Sequence, residues 1–78
     1  MNFTVYTRPG CPYCDKIKQV LAALEYNVNE QVLDIHYSRE DFVNQFGHGS
    51  TFPRVLLEGN LIGGCNETIS YLRNKGIV

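Results

Sequence analysis

The chain has 78 residues, 7 basic and 8 acidic, for a net charge of −1. A chain this short buries only about 60% of its unfolded surface, enough for one small domain over residues 1–78 and one surface site. The balanced charge excludes the basic footprint of a nucleic-acid or anionic-membrane binder, and 44% hydrophobic with 12% aromatic residues excludes a disordered chain.

Residues 2–7 alternate and are rich in β-branched and aromatic types, which predicts a strand. Arg8-Pro9-Gly10 breaks it. Pro12 suits the first turn of a helix, and Ile17, Val20, Leu21 and Leu24 recur at i, i+3, i+4 and i+7, so a helix is expected to about Tyr26 with Asn27 as its stop. Val28 to Ile35 reads as a second strand. Ser38-Arg39-Glu40-Asp41 resembles a capping box, and Phe42, Val43 and Phe46 form the apolar face of the helix behind it. Gly47-His48-Gly49-Ser50 closes that helix. Pro53 to Leu57 is a third strand, Glu58-Gly59-Asn60 a hairpin turn, and Leu61-Ile62 a short fourth strand. Gly63-Gly64 precede a last helix from about Cys65 to Lys75, with Gly76 as its stop. The order β-α-β-α-β-β-α implies an α/β fold: a parallel pair joined by a right-handed crossover and extended by a hairpin into a mixed four-stranded sheet flanked by helices.

No apolar run approaches the roughly 18 residues of a membrane span, and no secretory leader is legible, so a soluble cytoplasmic protein is expected. Three cysteines are an odd and small set for a stapled secreted domain. In a reducing compartment a Cys-x-x-Cys pair is catalytic or metal-binding. A tetrahedral zinc site needs four ligands, and Cys65, His36 and His48 form no second closely spaced pair, so no metal is expected.

Cys11-Pro12-Tyr13-Cys14 therefore reads as a redox site. Cys11 at an exposed helix start lies beside unpaired N–H groups and the positive end of the helix dipole, with Arg8, Lys16 and Lys18 nearby; all favour the thiolate. Cys14, one turn on, is expected to be less exposed and to resolve the mixed disulfide.

Cys11-Pro12-Tyr13-Cys14, Thr51-Phe52-Pro53 and Gly63-Gly64-Cys65, at these separations, resemble the dithiol glutaredoxins, and the resemblance spans essentially the whole chain. It implies a thioredoxin fold and glutathione as co-substrate. It also implies reduction of protein disulfides and glutathione mixed disulfides, with ribonucleotide reductase a family-typical acceptor, by a monomer. By the same resemblance Tyr13 flanks a glutathione groove. The Phe52–Pro53 bond is cis, setting the Phe52 backbone of Thr51-Phe52-Pro53 opposite Cys11. The helix start after Gly64, at Cys65 and Asn66, receives the γ-glutamyl carboxylate; Glu67 reaches the α-amino group; Arg8 meets the glycine carboxylate, with Gln45 a weaker candidate.

Cys65 is expected to be a small buried hydrophobe lining the groove. The chain departs from the family pattern at Phe52, where valine is usual, at Asn66-Glu67, and at Ser50, where a basic residue often precedes the threonine. Two other readings stand beside the first: a thioredoxin-like reductant recharged by a flavin reductase, and an iron–sulfur cluster module, whose glutaredoxin examples tend to replace Pro12 by glycine or serine.

Overall fold

The computed structural model describes residues 1–78. Strand β1 (Asn2–Thr7) leads to helix α1 (Pro12–Ala23), strand β2 (Asn27–Val32), helix α2 (Arg39–Phe46), the hairpin β3 (Arg54–Leu57) and β4 (Asn60–Gly63), and helix α3 (Cys65–Asn74). The sheet order is β2-β1-β3-β4, with β1 parallel to β2 and both other pairs antiparallel. This is the mixed sheet expected from the element order.

Alternation along β1 sorts the interior into two layers. Phe3 and Val5 are buried on one face with Ile17 and Leu21 of α1, Val55 of β3, and Cys65 and Leu72 of α3. Tyr6 points to the opposite face, where its ring meets Phe46 of α2 at 5.0 Å and Tyr37 at 5.1 Å. Tyr37 also donates its hydroxyl hydrogen to the Thr7 carbonyl at 2.6 Å. The half-buried phenol has its pKa pushed up to about 12, because partial burial disfavours the phenolate.

Several boundaries differ from the sequence expectation: β3 starts at Arg54 rather than Pro53, β4 reaches Gly63 and α3 ends at Asn74, each by one residue, and the ends of α1 and β2 differ by more. Helix α1 stops at Ala23 rather than Tyr26 because Glu25 turns left-handed (φ 61°) and the Tyr26 amide donates back to the Leu21 carbonyl. This closure normally uses glycine, so its glutamate gives no signal in the sequence. Asn27 then opens β2 instead of merely ending the helix. At its other end β2 stops at Val32, three residues short of Ile35, because its only neighbour β1 runs out at Thr7. The chain turns at Asp34 (φ 66°), and Ile35 is left 73% exposed.

The remaining ends follow local chemistry. The Ser38 hydroxyl accepts from the Asp41 amide and the Asp41 carboxylate accepts from the Ser38 amide, completing the capping box of α2. Glu58 and Gly59 both take positive φ in a two-residue hairpin turn, so Asn60 belongs to β4. His36 and His48 are exposed, as expected of loop residues.

Candidate active site

The site forms where β1 hands over to α1. Gly10 takes φ 70°, Cys11 is the extended N-cap of α1, and Pro12 occupies the first helical position, where its missing N–H costs nothing. Cys11 and Cys14 are joined by a disulfide, their Cα atoms 5.2 Å apart. The Cys14 amide donates to Cys11 Sγ at 3.1 Å, so the sulfur takes the place usually held by a capping hydroxyl.

One expectation is corrected here. Cys11 is not exposed: it retains only 4% of its accessible surface, against 1% for Cys14. Cys14 points into the core, and the bonded sulfur of Cys11 is covered with it.

Beside this helix start lies an open cleft of about 380 Å³, lined by Tyr13, Thr51, Phe52, Pro53, Gly64, Cys65, Asn66 and Glu67. Three separated stretches of sequence thus converge on one surface. Tyr13 projects, 57% exposed. The Phe52–Pro53 peptide bond is cis, as the family resemblance implies, and Pro53 is buried ahead of β3. Cys65 is buried at the start of α3, and burial pushes its thiol pKa up.

Gly63 and Gly64 admit a close neighbour, and that neighbour is Glu67. Its carboxylate accepts from the Gly64 amide at 2.7 Å, capping α3. A Cβ at Gly64 would stand 2.8 Å from Glu67 Oε1, and one at Gly63 2.8 Å from Glu67 Cβ. The glycine pair therefore makes room for this chain's own side chain.

Arg8 is not part of the cleft lining. It lies to the side, with Cζ 5.9 Å from the centre of the Phe52 ring and Nη1 donating to the Pro9 carbonyl at 3.3 Å. Gln45 is exposed on α2 and does not reach the cleft. The Ser50 hydroxyl donates to the Phe46 carbonyl at 2.6 Å, closing the end of α2.

Sequence reasoning missed Arg54. Its Nε donates to the Thr51 carbonyl at 2.9 Å and Nη2 to Thr51 Oγ1 at 3.2 Å, so it staples the loop that carries Phe52. The signal available was a cation three residues after a threonine across a proline. Below the site, Glu30 accepts from Thr7 Oγ1 at 2.8 Å and from Lys18 Nζ at 2.9 Å. The bond from Lys18 holds the Glu30 carboxyl below its usual range, and the bond to Glu30 raises Lys18.

A disulfide-forming cysteine pair at the first helix of this sheet defines a thioredoxin-fold thiol–disulfide oxidoreductase. The glutaredoxin family model matches residues 3–62. Glutaredoxin-1 of Oryctolagus cuniculus is 32% identical over 78 residues, covering 92% of this chain and 73% of that protein. A buckwheat glutaredoxin–glutathione complex superimposes with a TM-score of 0.78 at 25% identity, over 96% of this chain and 71% of that one. Reduced Escherichia coli glutaredoxin shares the fold over the full length of both chains, with a TM-score of 0.81 at 19% identity. The chain belongs to the glutaredoxin family.

Proposed function

We propose that the chain is a glutathione-dependent oxidoreductase that reduces protein disulfides and glutathione mixed disulfides, with Cys11 as nucleophile and Cys14 as resolving thiol. One observation carries the reading. The cleft beside Cys11 is walled by Tyr13, by Thr51-Phe52-Pro53 and by the Gly64–Glu67 turn, which together suit a short extended thiol peptide. The buckwheat relative in complex with glutathione supports the choice of peptide.

In the reduced protein, the Cys14 amide and the α1 dipole favour the Cys11 thiolate. Cys11 attacks the glutathionyl sulfur of a mixed disulfide; a Cys11–glutathione disulfide forms, and the protein thiolate leaves and takes a proton from water. A second glutathione thiolate then attacks that glutathionyl sulfur, releasing glutathione disulfide and restoring Cys11. With a protein disulfide, Cys11 forms a mixed disulfide and Cys14 attacks its sulfur. The substrate leaves as a dithiol, the Cys11–Cys14 bond remains, and two glutathione molecules reduce it.

Within the cleft, the Phe52 backbone pairs with the cysteinyl unit of glutathione, and Tyr13 flanks it. The Cys65 and Asn66 amides donate to the γ-glutamyl carboxylate, and Glu67, already bonded to the Gly64 amide, lies where the α-amino group enters. Arg8 meets the glycyl carboxylate. Ribonucleotide reductase is a family-typical acceptor, and a monomer acting in the reducing cytoplasm is the setting.

The test is turnover coupled to glutathione reductase, compared with turnover coupled to thioredoxin reductase. Glutathione-coupled turnover is expected; turnover with thioredoxin reductase alone refutes the donor assignment. Cys14→Ser should keep activity on a glutathionylated peptide while losing most protein-disulfide reduction. Loss of both refutes the division of labour between the two thiols.

A further inference from the structure

Behind the cleft, Phe52 belongs to an aromatic stack that no cleft-lining role requires. Its ring lies nearly parallel to that of Phe42, with centroids 4.2 Å apart and planes at 20°. Phe42 is buried and is itself held by Phe46 at 4.9 Å and Tyr37 at 5.9 Å. One face of half-buried Phe52 is therefore covered by the Phe42 ring, which restricts its swing. The Arg8 guanidinium stands over the ring, 5.9 Å from its centre, and the filled face leaves it only the other side. Arg8 has no carboxylate partner within the chain; its one internal hydrogen bond is from Nη1 to the Pro9 carbonyl.

Resting on the glutathione reading above, we infer that Phe52 is a positioning residue for Arg8, a rigid aromatic shelf that presents the guanidinium to the carboxylate end of the thiol peptide. A free arginine side chain loses rotamer freedom when it binds a carboxylate. Stacking on a fixed ring removes much of that freedom beforehand, and the planar guanidinium suits it where an ammonium would not. A valine side chain at position 52 has no such face. Phe52 thus acts on substrate recognition through its ring as well as its backbone.

The experiment uses one peptide disulfide-bonded either to glutathione or to the glycyl ethyl ester of glutathione, which lacks the terminal charge. Phe52→Leu should raise KM for the glutathionylated peptide about two- to fivefold, the size of an exposed cation–aromatic contact. The same substitution should raise KM for the ester less, since only the contact to the terminal charge runs through Arg8, and Phe52→Tyr should restore the original value for the glutathionylated peptide. In an Arg8→Gln background Phe52→Leu should affect the two substrates equally. An equal effect on both substrates with Arg8 present, or an unequal one without it, overturns the inference.

A measurement on the unaltered protein keeps the test independent of how the variants fold. The Arg8 δ-proton resonances should be shifted upfield by the ring current; random-coil positions overturn the inference. Failure of the parent reading looks different: the unaltered enzyme would then not prefer the glutathionylated peptide over the same peptide disulfide-bonded to cysteine.

Discussion

Adding one methyl group at Gly63 or at Gly64 should have very different consequences, although the glycines are adjacent. Gly63 has φ 140°, a region that side chains avoid at a cost of about 1–3 kcal/mol. Its added Cβ would meet Glu67 Cβ at 2.8 Å, and that atom is anchored to helix α3. Strain, overlap and the disturbed cap together make Gly63→Ala cost about 3–4 kcal/mol. A domain of this size holds only about 4–12 kcal/mol.

Gly64 has φ −89° and ψ −161°, which alanine adopts freely, and its Cβ would come too close only to the end of the Glu67 side chain, at 2.8 Å, with the Pro53 carbonyl and Arg54 at ordinary contact distance. Gly64→Ala should therefore lose just the bond from the Gly64 amide to Glu67, about 1 kcal/mol. Urea unfolding followed by far-ultraviolet circular dichroism reads both values. In melting temperature the shifts should be about 4–8 °C for Gly64→Ala and about 12–32 °C for Gly63→Ala. A double-mutant cycle sharpens the contrast. With Glu67→Ala in place, Gly64→Ala should cost almost nothing, whereas Gly63→Ala should stay costly because alanine keeps the Cβ. A Gly64→Ala cost undiminished by Glu67→Ala refutes the reasoning.

Three further outcomes follow from the charged and buried groups. Because the folded pKa of Glu30 lies below its reference of 4.5, its contribution is complete above about pH 4.5 and is lost as the pH falls; Glu30→Gln should flatten this acid limb, by no more than about 1 kcal/mol because both partners are about a third exposed. Tyr37, raised to about 12 from a reference of 10.0, contributes fully below about pH 10 and loses that contribution between there and pH 12. An ultraviolet phenol titration should show one late-titrating group that Tyr37→Phe removes, with about 1 kcal/mol of stability lost as the Thr7 carbonyl gives up the phenol and keeps the Leu33 amide. In the oxidised protein iodoacetamide at pH 8 should leave buried Cys65 unlabelled until denaturant is added, as mass spectrometry will read; rapid labelling of the native protein would contradict its burial and raised pKa.

Much of the fold was legible from local patterns. Alternation in residues 2–7, the apolar face at Ile17, Val20 and Leu21, and the Ser38–Asp41 box each depend on residues a few positions apart. The element boundaries were harder, because their causes lie elsewhere in space. Strand β2 ends where its neighbour β1 ends, and α1 ends on a left-handed glutamate that no composition rule marks. The cysteine motif marked the redox chemistry directly, since two thiols three positions apart at a helix start have few other uses. Tyr13 and the Gly64–Glu67 turn were chosen through family resemblance, and folding brings them to one cleft.

The sequence by itself determined the order of elements and the redox pair, because these rest on short-range periodicity and on side-chain chemistry. Only the tertiary structure decided that Cys11 is covered in the disulfide form, that Glu67 fills the space opened by Gly63-Gly64, that Arg54 staples Thr51, and that Phe52 stands between Phe42 and Arg8. Each of these depends on where side chains come to rest once the sheet and helices pack. That packing is set by the whole chain at once, and no local window contains it.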